Sequence, residues 1–144
     1  MKIQKSSEDY LEAMLMMKEE RGYVRSIDIA VKLGVTKPSV SYATKRLREN
    51  GYITMDDEGL ITLTDLGMEI AQTMYERHKT LTRLFIALGV NEKTAAEDAC
   101  KIEHDISSET FEALVKYMHL HLKSMEKEKQ GREEVLEDSG QNEK

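Results

Sequence analysis

The only cysteine of the chain, Cys100, stands three residues before Glu103 and four before His104. On an α-helix, where each residue turns about 100°, positions i, i+3 and i+4 share one narrow face. A thiolate, a carboxylate and an imidazole on one face can bind a single divalent cation when other elements complete its coordination. Asp9 and Glu12, at i and i+3, offer two more carboxylates that can supply the completion. Plainer roles exist for each residue. Cysteine is often core filler, a Glu-His pair is often solvated, Asp9 suits a capping box and Glu12 a wet helix face. His78 falls in a stripe of Ile70, Met74, Leu81 and Phe85 at helical spacing, and on that ground reads as a core histidine.

A second group of residues suits DNA. In the run from Thr36 to Leu47, Val40, Ala43 and Leu47 can face a core, which leaves Lys37, Ser39, Ser41, Tyr42, Lys45 and Arg46 outside. Hydroxyls and a tyrosine near the start of a recognition helix reach base edges or phosphates, and Lys and Arg neutralise the backbone. Thr36 and Pro38, at the start of that helix, complete the candidate DNA-facing set. Between Glu20 and Met55 seven basic side chains face three acidic ones, although the chain as a whole carries a net charge of −6. The plainer reading is a helical hairpin with a solvated basic face.

The elements that would position these groups follow from caps and periodicity. Ser6, with Asp9 three residues on, is expected to cap a first helix ending at Gly22; Ser26 is expected to cap a short one ending at Gly34. Thr36 caps the next, with the only proline tolerated in its first turn, and Asn50-Gly51 ends it. Two β-rich runs, Tyr52–Met55 and Leu60–Leu63, flank a glycine-containing turn and read as a hairpin. A hairpin after two such helices makes a winged helix-turn-helix. Its tip, Asp56-Asp57-Glu58, should be repelled by phosphate and stay off the DNA. Thr64, Asn91 and Ser107 are expected to cap three further helices, ending near Leu88, Asp105 and His121.

The predicted class is mainly α: residues 1–65 a winged helix-turn-helix, 66–123 an all-helical dimerisation and metal-binding domain, 124–144 a charged tail that frays. One proline, eight glycines and 33% charged residues in 144 suit long helices. A lone cysteine cannot build a disulfide framework, and neither a leader nor an apolar run of about 18 residues is visible, so a soluble cytoplasmic protein without a membrane partner is expected.

The run Ser-Glu-Asp-Tyr-Leu-Glu at 7–12, the winged module, His78 eleven residues before Gly89, and Asp98 to Ser107 together resemble the DtxR/MntR family of metal-dependent transcriptional repressors. The resemblance covers about residues 3–122. It implies a homodimeric repressor of metal-uptake genes on two-fold symmetric operator DNA, with Asp9, Glu12, His78, Cys100, Glu103 and His104 as metal ligands. Metal would tie the first helix to the regulatory half and set the spacing of the two recognition helices. The chain ends without the SH3-like domain of longer members and is similar to the short, manganese-type architecture.

Within that family the manganese branch typically has aspartate at the position of Asp9 and glutamate at that of Cys100, while the iron branch typically has methionine and cysteine. This chain has one feature of each. A thiolate favours Fe(II) over Mn(II), and the carboxylates keep Mn(II) feasible, so Fe(II) is placed first and Mn(II) second, with one or two ions per subunit. Thr82 stands where the iron branch's ancillary site has a glutamate, whereas a two-ion cluster sharing Glu12, His78 and Glu103 is compatible with the sequence. Two other classes remain: a metal-free sensor using Cys100 as a low-pKa thiol, and a metallohydrolase, which would need an open coordination position for water.

Overall fold

The computed structural model describes the backbone of residues 3–140 and the side chains of residues 3–124. Helices α1 (Lys5–Arg21), α2 (Ser26–Leu33) and α3 (Lys37–Glu49) precede strands β1 (Ile53–Met55) and β2 (Ile61–Leu63), and α4 (Asp65–Ala87), α5 (Glu92–Ile102) and α6 (Ser108–Gly140) follow. The order is that of a winged helix-turn-helix continued by a helical half, as the sequence predicts.

Helix α1 is the centre of the molecule. Tyr10 through Leu15 and Met17 are all buried, so it has no solvent stripe in its middle and packs on every side. It starts one residue before Ser6, after extended Gln4, with no side-chain cap. The expected Ser6–Asp9 capping box is therefore absent, and the Asp9 carboxylate is committed elsewhere. Ser26 is likewise the first helical residue of α2 and not its cap; Arg25 precedes it in extended conformation and bridges to Leu60 beside the hairpin.

The other caps form as expected. Thr36 Oγ1 accepts from the Ser39 amide, Thr64 Oγ1 from Gly67, Asn91 Oδ1 from Lys93 and Ser107 Oγ from Thr110. Strands β1 and β2 pair antiparallel, with Ile53 opposite Leu63 and Met55 opposite Ile61. Leu11, Met14, Ile29, Val40, Leu47 and Ile53 form the core of the winged module, joined by Ala71 from α4. The start of α4 lies tightly against the hairpin: a Cβ on Gly67 would lie 2.0 Å from the Tyr52 carbonyl oxygen.

Along α4 the buried line is Ala71, Met74, Arg77 and Leu81, while Ile70, His78 and Phe85 are half-buried. The face nearest the core thus carries an arginine where the sequence suggested a histidine. Two helix ends also differ. Helix α5 stops at Ile102, three residues early, and α6 runs on past His121 to Gly140 through a segment rich in Glu and Lys, both good helix formers. The tail expected to fray, residues 124–144, is thus helical as far as Gly140, and its last four residues lie outside the described ones. Among the described residues no helix is long and apolar enough to cross a membrane.

Candidate metal centre and DNA-binding surface

Three packed helices bring the expected ligands together. Asp9 and Glu12 come from α1, His78 from the middle of α4, Cys100 from the last turn of α5, and Glu103 and His104 from the turn that follows it. Helix α5 ends at Ile102, so Cys100 stands on the helix, Glu103 is its C-cap with helical backbone angles, and His104 follows in the turn. The triplet divides between two donor sets. One set of donor atoms, from His78, Cys100 and Glu103, and a second, from Asp9, Glu12, Glu103 and His104, each lie within 4.8 Å of one another. Only Glu103 belongs to both, whereas Glu12 and His78, which a shared two-ion cluster would also have in common, fall in separate sets.

Glu103 is 0% exposed. Its Oε2 lies 3.0 Å from His78 Nδ1, and its Oε1 lies 3.2 Å from His104 Nε2. That nitrogen is also 2.6 Å from Asp9 Oδ1, while His104 Nδ1 is 3.1 Å from Glu8 Oε2. His78 is therefore no inert core histidine. Its partner is the carboxylate at the centre of the site.

The charges are held only by protons. Burial, then the hydrogen bond to Glu103, pushes Glu12 up to about 9. For His104 burial acts downward, but hydrogen bonds to Asp9, Glu103 and Glu8 outweigh it and push the imidazole up to about 10. In Glu103 the upward push of burial is overcome by hydrogen bonds from His104, His78 and Glu12, which hold it well below the usual carboxylate range. At neutral pH the metal-free cluster thus keeps a proton on Glu12 and one on His104. Two protons carry the charge that one divalent cation would supply.

The donors fit such a cation. Glu103 Oε1 and His104 Nε2 are buried and lie close together, but neither makes a well-directed hydrogen bond. Donor atoms bound at about 2.1 Å along perpendicular directions lie about 3 Å apart, which is the spacing these two atoms already have. The three carboxylates and imidazole of the second set suit Mn(II) or Fe(II), and the thiol makes the first set, with His78 and Glu103, the softer one. Cys100 is exposed as a whole residue, yet partial desolvation of its thiol, then the negative charge of Glu103, Glu12 and Asp9, pushes it up to about 11. A thiol shifted in that direction is a poorer nucleophile, the opposite of the low-pKa thiol that the metal-free sensor reading needs.

Two contributors are not among the expected residues. Glu8 supports His104 from behind, and Arg77 supports the turn on which Glu103 and His104 stand. Arg77 Nη1 donates to the carbonyls of Glu103 at 3.0 Å and Ile106 at 2.8 Å, and Nη2 to Ser108 Oγ at 3.2 Å. For Arg77 the signal was its spacing from Met74 and Leu81, which puts it on the buried stripe. For Glu8 it was the need of a buried histidine for a partner at each nitrogen.

On α3 the expected outer residues Thr36, Lys37, Pro38, Ser39, Ser41, Tyr42, Lys45 and Arg46 are exposed, and Val40 and Leu47 are buried. The third buried residue is Thr44, with its hydroxyl bonded to the Ser41 carbonyl, while Ala43, expected in the core, is half-buried. Thr36 and Ser39 hydroxyls bond each other at 2.8 Å as part of the cap. Arg46 donates to the Tyr42 hydroxyl at 3.3 Å and lies over its ring, whereas Lys45 has only a 4.0 Å surface pairing with Glu49. At the wing tip Asp56 turns inward, accepting from the amides of Glu58 and Leu60.

Comparison with known proteins agrees with both halves. Residues 2–60 match the N-terminal DNA binding domain of iron dependent repressors, and residues 64–130 their metal binding and dimerisation domain. An HTH-type transcriptional regulator of Methanocaldococcus jannaschii is 38% identical over 116 residues, covering 78% of this chain and 92% of that protein. The transcriptional regulator MntR of Salmonella typhimurium is 35% identical over 119 residues, covering 83% of this chain and 76% of its own. A manganese-dependent transcriptional repressor in complex with manganese superposes with a TM-score of 0.73 at 25% identity, over 78% of this chain and 52% of that one. These relatives are regulators and not enzymes, and they favour neither the sensor nor the hydrolase reading. With its winged module and its helical metal-binding and dimerisation half both matched, the chain belongs to the iron dependent repressor family of metal-dependent, DNA-binding transcriptional regulators.

Proposed function

We propose that this chain is a homodimeric repressor of metal-uptake genes activated by Fe(II) or Mn(II), with Asp9, Glu12, His78, Cys100, Glu103 and His104 as ligands. The observation that carries the reading is the buried Glu103 carboxylate, which belongs to two donor sets drawn from three helices. A divalent cation supplies positive charge that replaces the two protons. The chain's own residues supply the coupling: Asp9 and Glu12 sit on the helix at the core of the winged module, and Glu103 and His104 on the turn after α5. Holding both fixes α1 against the helical half and thereby sets the separation of two recognition helices, roughly 34 Å for successive turns of a two-fold operator.

On this reading residues 1–65 read DNA, 66–123 sense metal and dimerise, and 124–144 form a charged extension, all within the cytoplasm. Thr36, Lys37, Pro38, Ser39, Ser41, Tyr42, Lys45 and Arg46 form the DNA face. The thiol argues for Fe(II), while the four-donor set without Cys100 is hard enough for Mn(II), the metal named for the solved relative above, which draws the two closer than the sequence alone did. Exposed Ile86, Leu88, Tyr117 and Leu120 give the second subunit an apolar surface to cover. Anaerobic operator-binding curves at buffered Fe(II), Mn(II) and Zn(II) test this function. Binding that ignores all three metals would overturn it.

A further inference from the structure

Of the side chains around the metal centre, Glu8 is the one with no assigned task and a defined contact. It stands one residue before Asp9 on α1, its side chain is 13% exposed, and its Oε2 lies 3.1 Å from Nδ1 of His104, whose own side chain is 1% exposed. The other nitrogen of that ring, Nε2, is buried without a well-directed hydrogen bond and lies 2.6 Å from Asp9 Oδ1 and 3.2 Å from Glu103 Oε1. The ring is thus held between a carboxylate on one side and the donor cluster on the other.

A neutral imidazole carries its proton on one nitrogen and its lone pair on the other, and the hydrogen bond made by the first decides which is which. A carboxylate oxygen only accepts. In the neutral ring that binds a metal, Nδ1, opposite Glu8, has to be the N–H, and Nε2, having given up the proton it holds in the metal-free protein, is left with the lone pair. We infer that Glu8 is a positioning residue for metal binding: by accepting the Nδ1–H of His104 it fixes the tautomer and the ring plane that aim Nε2 into the Asp9, Glu12, Glu103 set. Glu8 does not itself reach that set.

Position on α1 gives this contact a further effect. Glu8 and Asp9 are adjacent on the first turns of one helix and grip opposite nitrogens of a single ring on the turn after α5. The ring cannot swing toward one without leaving the other, so its orientation is tied to the placement of α1. The inference rests on the reading of His104 as a ligand, and the experiment separates the two.

The test compares wild type with Glu8→Ala, Glu8→Gln and His104→Ala. Zn(II) and Mn(II) dissociation constants are measured by chelator competition, and the His104 ring nitrogens are observed by ¹⁵N NMR in the diamagnetic Zn(II)-loaded protein. Wild type should show an Nδ1–H and a metal-bound Nε2. Glu8→Ala should lose that single Nδ1–H signature and bind both metals about 10- to 100-fold more weakly. Glu8→Gln, whose amide oxygen still accepts from Nδ1–H, should keep the signature and stay within about threefold of wild type. Wild-type affinity in Glu8→Ala with weakened binding in His104→Ala would overturn the role of Glu8 alone. Wild-type affinity in both would overturn His104 as a ligand and this inference with it. A loss in Glu8→Gln equal to that in Glu8→Ala would mean that the negative charge acts and not the hydrogen bond, and would overturn it as well.

Discussion

Arg77 and Glu103 are joined across the protein by a 3.0 Å hydrogen bond from a guanidinium in the middle of α4 to a backbone carbonyl at the end of α5. The same guanidinium reaches Ile106 O and Ser108 Oγ, and it lies over the Phe111 ring. One buried side chain thus satisfies two carbonyls of the turn between α5 and α6, and it is adjacent in sequence to His78.

Replacing Arg77 by Met should cost about 2–4 kcal/mol of stability, because two buried carbonyls lose their donor. Arg77→Lys should recover only part of it, since an ammonium lacks the planar fork that serves two carbonyls and a hydroxyl at once. Urea denaturation of the three proteins decides the matter, and equal midpoints would show that the turn holds without the clamp.

Stability of the metal-free protein should fall as pH rises from about 6.5 to about 9. Glu12 and His104 have folded values of about 9 and about 10, raised above their ordinary 4.5 and 6.5. Each contributes stability in full below its ordinary value and loses it as pH rises through the folded one. Glu103, shifted the other way, contributes above its ordinary 4.5 and loses it only in strong acid. Because metal takes the place of the two protons, affinity for Mn(II) should increase over the same window. Thermal unfolding with and without chelator at pH 6.5 and 9 checks the sign; a metal-free form more stable at pH 9 contradicts it.

Cys100 and Glu103 should differ in what their loss does to metal. Glu103→Gln removes a donor from both sets and should abolish metal-dependent operator binding. Cys100→Ala leaves the Asp9, Glu12, Glu103, His104 set complete and should keep at least one ion per subunit, with weaker activation. Cys100→Glu makes a harder site that should need less Mn(II) and more Fe(II). Metal content by elemental analysis, together with buffered-metal binding curves, distinguishes the three. A Cys100→Ala protein that responds to every metal as wild type does would remove the thiol from the site.

On the DNA face, Lys45→Ala and Arg46→Ala should weaken binding to specific and random DNA alike, each lowering the salt slope by about one contact. Tyr42→Phe keeps the ring under Arg46 and removes the hydroxyl that the guanidinium bonds, so it should alter sequence preference more than salt dependence. Operator and random-sequence titrations between low and moderate salt separate the two effects. An unchanged operator affinity in the Lys45→Ala, Arg46→Ala double variant would move the recognition surface elsewhere.

Gly67→Ala should destabilise the fold by about 1–3 kcal/mol, although alanine is the better helix former, since its Cβ would collide with the Tyr52 carbonyl that also accepts from Thr64. Thermal unfolding tests it. A stabilised variant would mean that the α4–hairpin junction yields freely.

What the sequence made legible is what short-range chemistry decides. Thr36, Thr64, Asn91 and Ser107 accept from amides two or three residues on, and these caps were readable because both partners lie in one turn. The hairpin was readable from its glycine turn and the residues on either side. Ser6 and Ser26 failed as caps for nonlocal reasons. Arg25 is drawn into a bridge with Leu60, and α1 begins early while Asp9 bonds a histidine far along the chain. The donor residues that the structure brings together were legible, but their grouping was not. Helix periodicity brings Cys100, Glu103 and His104 near one another, but which of them meets His78 on α4 and which meets Asp9 and Glu12 on α1 depends on how distant helices pack, which periodicity does not carry.

The burial of α1 on all sides bears on how such proteins can be recombined. Its apolar residues fill the core beneath the recognition helix, and its Asp9 and Glu12 face the metal-donor turn, so a cut at the hairpin would divide the chain at a seam the packing does not have. A chimera meant to give this sensor a new operator has to exchange the stretch from Val24 to Leu63 alone. The recipient's own first helix has to stay in place, with every new side chain from that stretch fitted to Leu11, Met14 and Leu15.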